Sequence, residues 1–264
     1  MQPKKPVVAG IDIGSVFSKA VIIRGNGDVI FATLASGGNY REAARKVVNE
    51  VLSQAAVSLE DLGVVVATGL GAASVPFPCK QVSDISCQAK GIHCLFPSAR
   101  TIVDIGGQST RVIKATAEGN VVDFVVSEKC AAGSGRFLQI ISRILSMSIE
   151  DIGPVALQAK QPVEFSTNCA VFAESETISR IAEGATKEDI LAGVHRAIAA
   201  KVANLVERVG LEEDCVLTGG ATEDSGLVKR ISEVLRARVL VPDHQRITAA
   251  LGAARIAAQS LDSH

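Results

Sequence analysis

The chain has 264 residues, 47% of them apolar and 21% charged, with a formal net charge of −1 at pH 7. That length suits two ordinary domains, each with a core of its own, and the near-neutral charge excludes a general polyanion binder, which carries a basic excess. With no Trp, one Tyr (Tyr40) and eight Phe, the chain has too few rings for a base-stacking platform, so no nucleic-acid partner is expected.

The amino terminus, "MQPKKPVVAGID", has too short an apolar run before Asp12 for a signal-peptide core of roughly 7–15 residues. No stretch approaches the ~20 apolar residues of a membrane span, so the expectation is a soluble, cytoplasmic protein with no membrane partner. In chain order, residues 7–13 predict a buried strand, Gly14 and Ser15 a tight turn, and 18–24 the returning strand. "GNGD" (25–28) is an Asn-Gly hairpin turn into a third strand at 28–34. Residues 40–55 have helical periodicity, 64–68 read as a strand ending in "GLG", and 84–95 as a helix.

The plan then restarts. Strands are predicted near 100–105, 110–117 and 121–127, with Glu118-Gly119-Asn120 as the turn. Helices follow near 134–147, 169–184 and 187–209, a strand at 215–220, helices at 225–236 and 246–259, and a short strand at 238–241. Laid without a gap on "VVAGIDIGSVFSKAVIIRGNGDVIFATL", the stretch "TIVDIGGQSTRVIKATAEGNVVDFVVS" puts Asp104 on Asp12, Gly106 on Gly14, Thr110 on Ser18, Arg111 on Lys19 and Gly119 on Gly27. The order β-β-β-α-β-α, stated twice, predicts a duplicated α/β protein with two mixed sheets flanked by helices. Its expected domains are 1–97 and 98–264, with the helix at 246–259 a candidate to complete the first.

Each copy ends a buried strand on an aspartate and bends at once, at Gly14-Ser15 and at Gly106-Gly107. Glycine lets backbone N–H groups approach an anion closely, and successive N–H groups cradle phosphate. Ser15, Ser18, Gln108, Ser109 and Thr110 add side-chain donors; Lys19 and Arg111 add positive charge unless strand alternation turns them away. Asp12 and Asp104 suit hydrated Mg²⁺, which binds through few carboxylates and keeps most of its water. A third glycine turn, "LTGGAT" (217–222), is placed to admit a nucleoside.

This set resembles the ATPase superfamily that includes actin, Hsp70 chaperones and sugar kinases, and the resemblance covers almost the whole chain. It implies that Asp12, Gly14, Ser15 and Lys19 form a first phosphate loop, that Asp104, Gly106, Gly107 and Gln108 form a second, and that Gly219 and Gly220 form the adenosine loop, with Gln108 orienting the attacking water. No G-x-x-x-x-G-K-[ST] string occurs, so the chain is not a P-loop protein.

Of six cysteines, two open predicted helices: Cys130 in "SEKCAAGSGRFLQ" and Cys169 in "EFSTNCAVFAESETIS". A helix N-terminus stabilises a thiolate, and its free N–H groups can donate to cluster sulfides. Two cysteines are half of a Cys₄ set that a two-fold dimer completes; the competing reading is a pair of buried small hydrophobes. Cys79, Cys87, Cys94 and Cys215 fit no metal-site spacing and are read as structural.

"KCAAGSGRF", "CAVFAESE", "DIGGQ" and "ALGAA" (250–254) closely resemble the motifs of the ATPase activators of 2-hydroxyacyl-CoA dehydratases and the related benzoyl-CoA reductase subunits. That resemblance implies an ATPase homodimer with one [4Fe–4S] cluster held by Cys130 and Cys169 of both chains. It also implies ATP and Mg²⁺ as ligands, ferredoxin or flavodoxin as electron donor, and a partner iron–sulfur dehydratase or reductase as acceptor. Family members often carry an acidic residue and then a Lys where Ser109 and Arg111 stand, and frequently a His at Gln88, which leaves the acceptor open. The alternative is a small-molecule kinase of the same superfamily without a redox role, though 264 residues leave little room for a substrate domain.

Overall fold

The computed structural model describes residues 7–127, 134–165 and 170–262. Its elements run β1 (Val7–Ile13), β2 (Phe17–Ile23), β3 (Val29–Ala35), α1 (Tyr40–Ala55), β4 (Leu62–Thr68), β5 (Lys80–Gln81), α2 (Asp84–Leu95), β6 (Thr101–Ile105), β7 (Thr110–Ala115) and β8 (Val121–Val126). They continue with α3 (Gly135–Ile144), α4 (Ile152–Ala156), α5 (Ala170–Ala182), α6 (Lys187–Val209), β9 (Cys215–Thr218), α7 (Ser225–Leu235), β10 (Val239–Leu240) and α8 (Thr248–Asp262).

Two five-stranded sheets repeat one topology, β3-β2-β1-β4-β5 and β8-β7-β6-β9-β10. In each, the aspartate-bearing strand is antiparallel to the strand after it (β1 to β2, β6 to β7) and parallel to its other neighbour (β4, β9). Two compact units result. The first takes in the described parts of residues 1–99, 115–122 and 246–264, and the second those of 100–114 and 123–245.

In the first unit β1 is apolar on both faces, as a central strand flanked by helices must be. Ala9, Ile11 and Ile13 pack with Val47, Val48 and Val51 of α1, whereas Val8 packs with Ala250, Ala253 and Ala257 of α8. Asn39 caps α1, its side chain accepting the N–H groups of Arg41 and Glu42. The "ALGAA" string has a packing reason: a Cβ on Gly252 would run into the Cys87 carbonyl of α2. The tip of the β7–β8 connection is tied to α2, Lys90 Nζ donating to Glu118 O (2.9 Å) and Asn120 Oδ1 (2.8 Å).

In the second unit one large cluster joins Val103, Ile105 and Leu217 of the sheet to Phe137, Leu138 and Ile141 of α3 and to the buried stripe Ile190, Val194, Ile198 and Val202 of α6. That stripe is core, as its helical spacing predicts. His195 is buried in it and pairs with Asp224 at 2.8 Å, and Asp224 caps α7 through the Leu227 N–H. The sequence reading passes over α4 and the two-residue β5, elements too short to show a period, and it starts α8 two residues early. Among the described residues no helix is long and apolar enough to cross a membrane.

Candidate functional site

Each unit builds the same three-part device at the end of its aspartate strand. Asp12 is the last residue but one of β1 and lies directly opposite Lys19 on β2; Asp104 is the last but one of β6, opposite Arg111 on β7. Cross-strand partners share a face of the sheet, so alternation turns both cations toward the aspartates. Lys19 Nζ lies 2.7 Å from Asp12 Oδ2, and Arg111 Nη1 2.8 Å from Asp104 Oδ2. The parallel neighbour supplies the third part. β4 places Thr68 beside Asp12 and β9 places Thr218 beside Asp104, and each strand then turns on a left-handed glycine, Gly69 at φ +84° and Gly219 at φ +89°.

Those glycines are required twice over. Only glycine takes such a φ freely, and a Cβ on Gly69 would overlap Asp12 Oδ1 and lie 2.7 Å from Ile13 O. At Gly219 it would lie 2.5 Å from both Asp104 Oδ1 and Ile105 O. Each carboxylate therefore has one oxygen on a cation and the other over a bare glycine. Both aspartates are buried, 7% and 9% exposed. Removing a cation would strand a nearly buried carboxylate, a change worth ~3–5 kcal/mol when a buried pair loses one partner. Gly69 escapes a search confined to the two hairpins. The signal for it is "VVVATG" set against "CVLTGG", a buried strand ending Thr-Gly in both copies.

The turns themselves are built alike. Gly14 N–H donates to Phe17 O at 3.1 Å and Gly106 N–H to Ser109 O at 3.0 Å, so these two amides close the turns and are not free for an anion. Among the described residues no group bonds to the N–H of Ser15, Val16, Gly107 or Gln108. Two such amides in succession leave donors of the kind that anion-binding loops use. Ser18 corrects one expectation. Its hydroxyl is fully buried and pairs with Ser36 Oγ at 2.9 Å, and Ser36 Oγ in turn donates to Gly14 O at 2.7 Å. Ser18 therefore braces the turn from beneath rather than offering a donor above it. Ser15 is half-buried and the Gln108 side chain exposed.

In the second unit the loop's carbonyls are engaged too. Gly106 O and Gly107 O accept the first two amides of α3, Gly135 N–H at 2.9 Å and Arg136 N–H at 3.0 Å. Gly219 O accepts from the Thr222 N–H (3.0 Å) and hydroxyl (2.8 Å), fixing the short turn Gly220–Glu223.

Cys130 and Cys169 lie outside the described residues. Of the other four, Cys87 and Cys215 are fully buried, and burial pushes their thiols up to about 11 and about 12. Cys79 and Cys94 are half-buried, and burial also raises the Cys79 thiol. Among the described residues no group of three or more His, Cys, Asp or Glu is placed to hold a metal ion.

Comparison with known proteins gives these sites a setting. Residues 9–257 match the BadF/BadG/BcrA/BcrD ATPase family. The activator of lactoyl-CoA dehydratase from Anaerotignum propionicum is 39% identical over 93% of this chain and 95% of its own. The (R)-2-hydroxyglutaryl-CoA dehydratase activating ATPase from Acidaminococcus fermentans is 36% identical over 93% of this chain and 94% of its own. The solved structure of the activator of the 2-hydroxyisocaproyl-CoA dehydratase from Clostridium difficile, with bound ADPNP, superposes at a TM-score of 0.92 with 36% identity, covering 97% of this chain and 96% of that one. The fold is the duplicated ATPase fold of the actin, Hsp70 and sugar-kinase superfamily. The chain belongs to the BadF/BadG/BcrA/BcrD ATPase family.

Proposed function

We propose that this chain is an activator ATPase working as an ATP-dependent one-electron donor. It acts as a cytoplasmic homodimer that takes an electron from ferredoxin or flavodoxin and delivers it at low potential to a partner iron–sulfur dehydratase or reductase. The observation that carries the reading is the doubled aspartate–cation–glycine device, in a chain similar along almost its whole length to dehydratase activators.

The amides of Ser15 and Val16 and those of Gly107 and Gln108 hold phosphate oxygens. Asp12 and Asp104, their charge offset by Lys19 and Arg111, do not repel the phosphate tail and hold Mg²⁺ through its water shell. The exposed Gln108 amide orients the water that attacks the γ-phosphorus, and ADP leaves. Gly219 and Gly220 make room for adenosine. Because the first amides of α3 hang on Gly106 O and Gly107 O, a shift of the second phosphate loop on hydrolysis is carried to the helix that follows Cys130.

A [4Fe–4S] cluster, one per dimer, supplies the one-electron capacity. Cys130 and Cys169 of both copies are its proposed ligands, and the other cysteines are consistent with that assignment: Cys87 and Cys215 are buried thiols held protonated, and among the described residues none of the four stands in a metal-holding group.

The decisive experiment is iron and sulfide analysis of anaerobically purified protein. About four iron per dimer are expected, lost in Cys130→Ala and in Cys169→Ala and retained in Cys87→Ala and Cys215→Ala. Full iron loading in either of the first two variants refutes the ligand assignment. Wild-type protein that turns over ATP but holds no iron refutes the redox reading and favours a small-molecule kinase.

A further inference from the structure

Arg246 lies with its Cζ 4.2 Å from the centroid of the Phe17 ring. Phe17 opens β2, and its carbonyl accepts the Gly14 N–H at 3.1 Å, closing the turn that presents Ser15 and Val16. The preceding residue is held elsewhere. Gln245 O accepts the Gly219 N–H at 3.2 Å and the Thr218 hydroxyl at 3.0 Å, so it is bound to the glycine turn of the second unit. Two bonded residues thus answer to two different loops. There is little slack after them: Ile247 is buried, Leu251 N–H closes the first turn of α8 on Ile247 O at 2.8 Å, and the Thr248 hydroxyl accepts Gln88 Nε2 at 2.7 Å. One peptide bond thus separates the residue held by the Gly219 turn from the guanidinium over Phe17.

We propose that Arg246 is a positioning residue for ATP hydrolysis: pressed on Phe17, it sets the first phosphate loop according to whether the Gly219–Gly220 turn is engaged by a nucleoside. The proposal rests on the ATPase reading above and needs no cluster. In this proposal Arg246 acts through Phe17, by a cation–π contact that lysine can partly replace and neutral side chains cannot. Its effect belongs in turnover rather than in nucleotide affinity, because the amides that hold phosphate are left in place.

The test is steady-state phosphate release, with ATP and with inorganic tripolyphosphate as substrates. Arg246→Ala is expected to lower kcat for ATP about tenfold, the rate equivalent of ~1.4 kcal/mol, with KM within about twofold. Arg246→Lys should recover most of that loss. Tripolyphosphate has no nucleoside to engage Gly219, so its slower hydrolysis should be equal in wild type and Arg246→Ala. Phe17→Leu should match Arg246→Ala, and the double variant should lose no more than either single one. An unchanged kcat for ATP, additive losses in the double variant, or an equal loss with tripolyphosphate overturns the proposal; the last would mark a merely structural role. If Arg246→Ala melts early, Arg246→Lys and Phe17→Tyr, which keep ring and charge, must both retain turnover. Wild-type protein without ATPase activity would instead sink the underlying reading.

Discussion

Replacing Gly69 with alanine should damage the first aspartate device without touching a charged group. Two costs add. At φ +84° a non-glycine residue carries roughly 1–2 kcal/mol of strain. The new Cβ would also overlap Asp12 Oδ1 and sit 2.7 Å from Ile13 O, and such overpacking typically costs about 1–3 kcal/mol. Together these give about 2–5 kcal/mol, or a melting point lower by roughly 5–15 °C for a domain of this size. The overlapped atom is a carboxylate oxygen, so Asp12 must move by about an ångström, which by positioning alone can cost ~10²-fold in rate. Gly27→Ala separates the two causes: its φ is +96° but nothing lies within 4 Å of its Cβ. That variant should show the strain in its melting curve and keep full ATP turnover. Gly38→Ala, in open space and without a positive φ, should change neither. Circular-dichroism melts and phosphate release on all three decide the matter. A Gly69→Ala protein that loses only as much stability as Gly27→Ala and hydrolyses ATP at the wild-type rate would refute the claim that this glycine makes room for the carboxylate.

Asp12→Asn and Asp104→Asn should each lose most MgATP turnover while melting cooperatively, as phosphate release and scanning calorimetry will show; wild-type rates in both would leave the paired hairpins a purely structural role. Cys87 and Cys215 should resist Ellman's reagent in folded protein at about pH 8 and react on denaturation, because their thiolates are disfavoured by burial. Their folded values, about 11 and about 12, stand above the ordinary 9.0, so the stability they contribute is fully present below that value and is lost as pH rises through the folded values; urea melts across that alkaline range check the sign. In reduced, iron-loaded protein, bathophenanthroline should strip iron faster with a non-hydrolysable ATP analogue than with ADP. A complete two-state switch needs about 5.5 kcal/mol of differential affinity, and equal stripping rates would end the case for nucleotide control.

The doubled hairpin was legible in the sequence because its signals are local. An apolar strand, an aspartate, a glycine bend and a second turn on glycine (Gly27, Gly119) recur at fixed spacing in both copies, and the helices at 40–55, 84–95 and 187–209 coincide with α1, α2 and α6 because each buries a periodic apolar face. The family could be named from short motifs such as "DIGGQ" and "ALGAA", and in the second a side chain on Gly252 would run into the Cys87 carbonyl. Tertiary structure decided the rest. Whether Lys19 and Arg111 serve their aspartates depends on register, which pairs residues seven apart across a strand turn. Gly69 becomes part of the site only once β4 is laid parallel to β1, bringing a left-handed turn 57 residues along the chain under the Asp12 carboxylate. Ser18 reads as a donor in the string and is a buried brace in the fold, because alternation along β2 sends it to the opposite face from Lys19. Such pairings are contacts between different strands, whether seven residues apart or 57. Each segment satisfies its own periodicity whichever neighbour it meets, and only the packing of the sheet selects one.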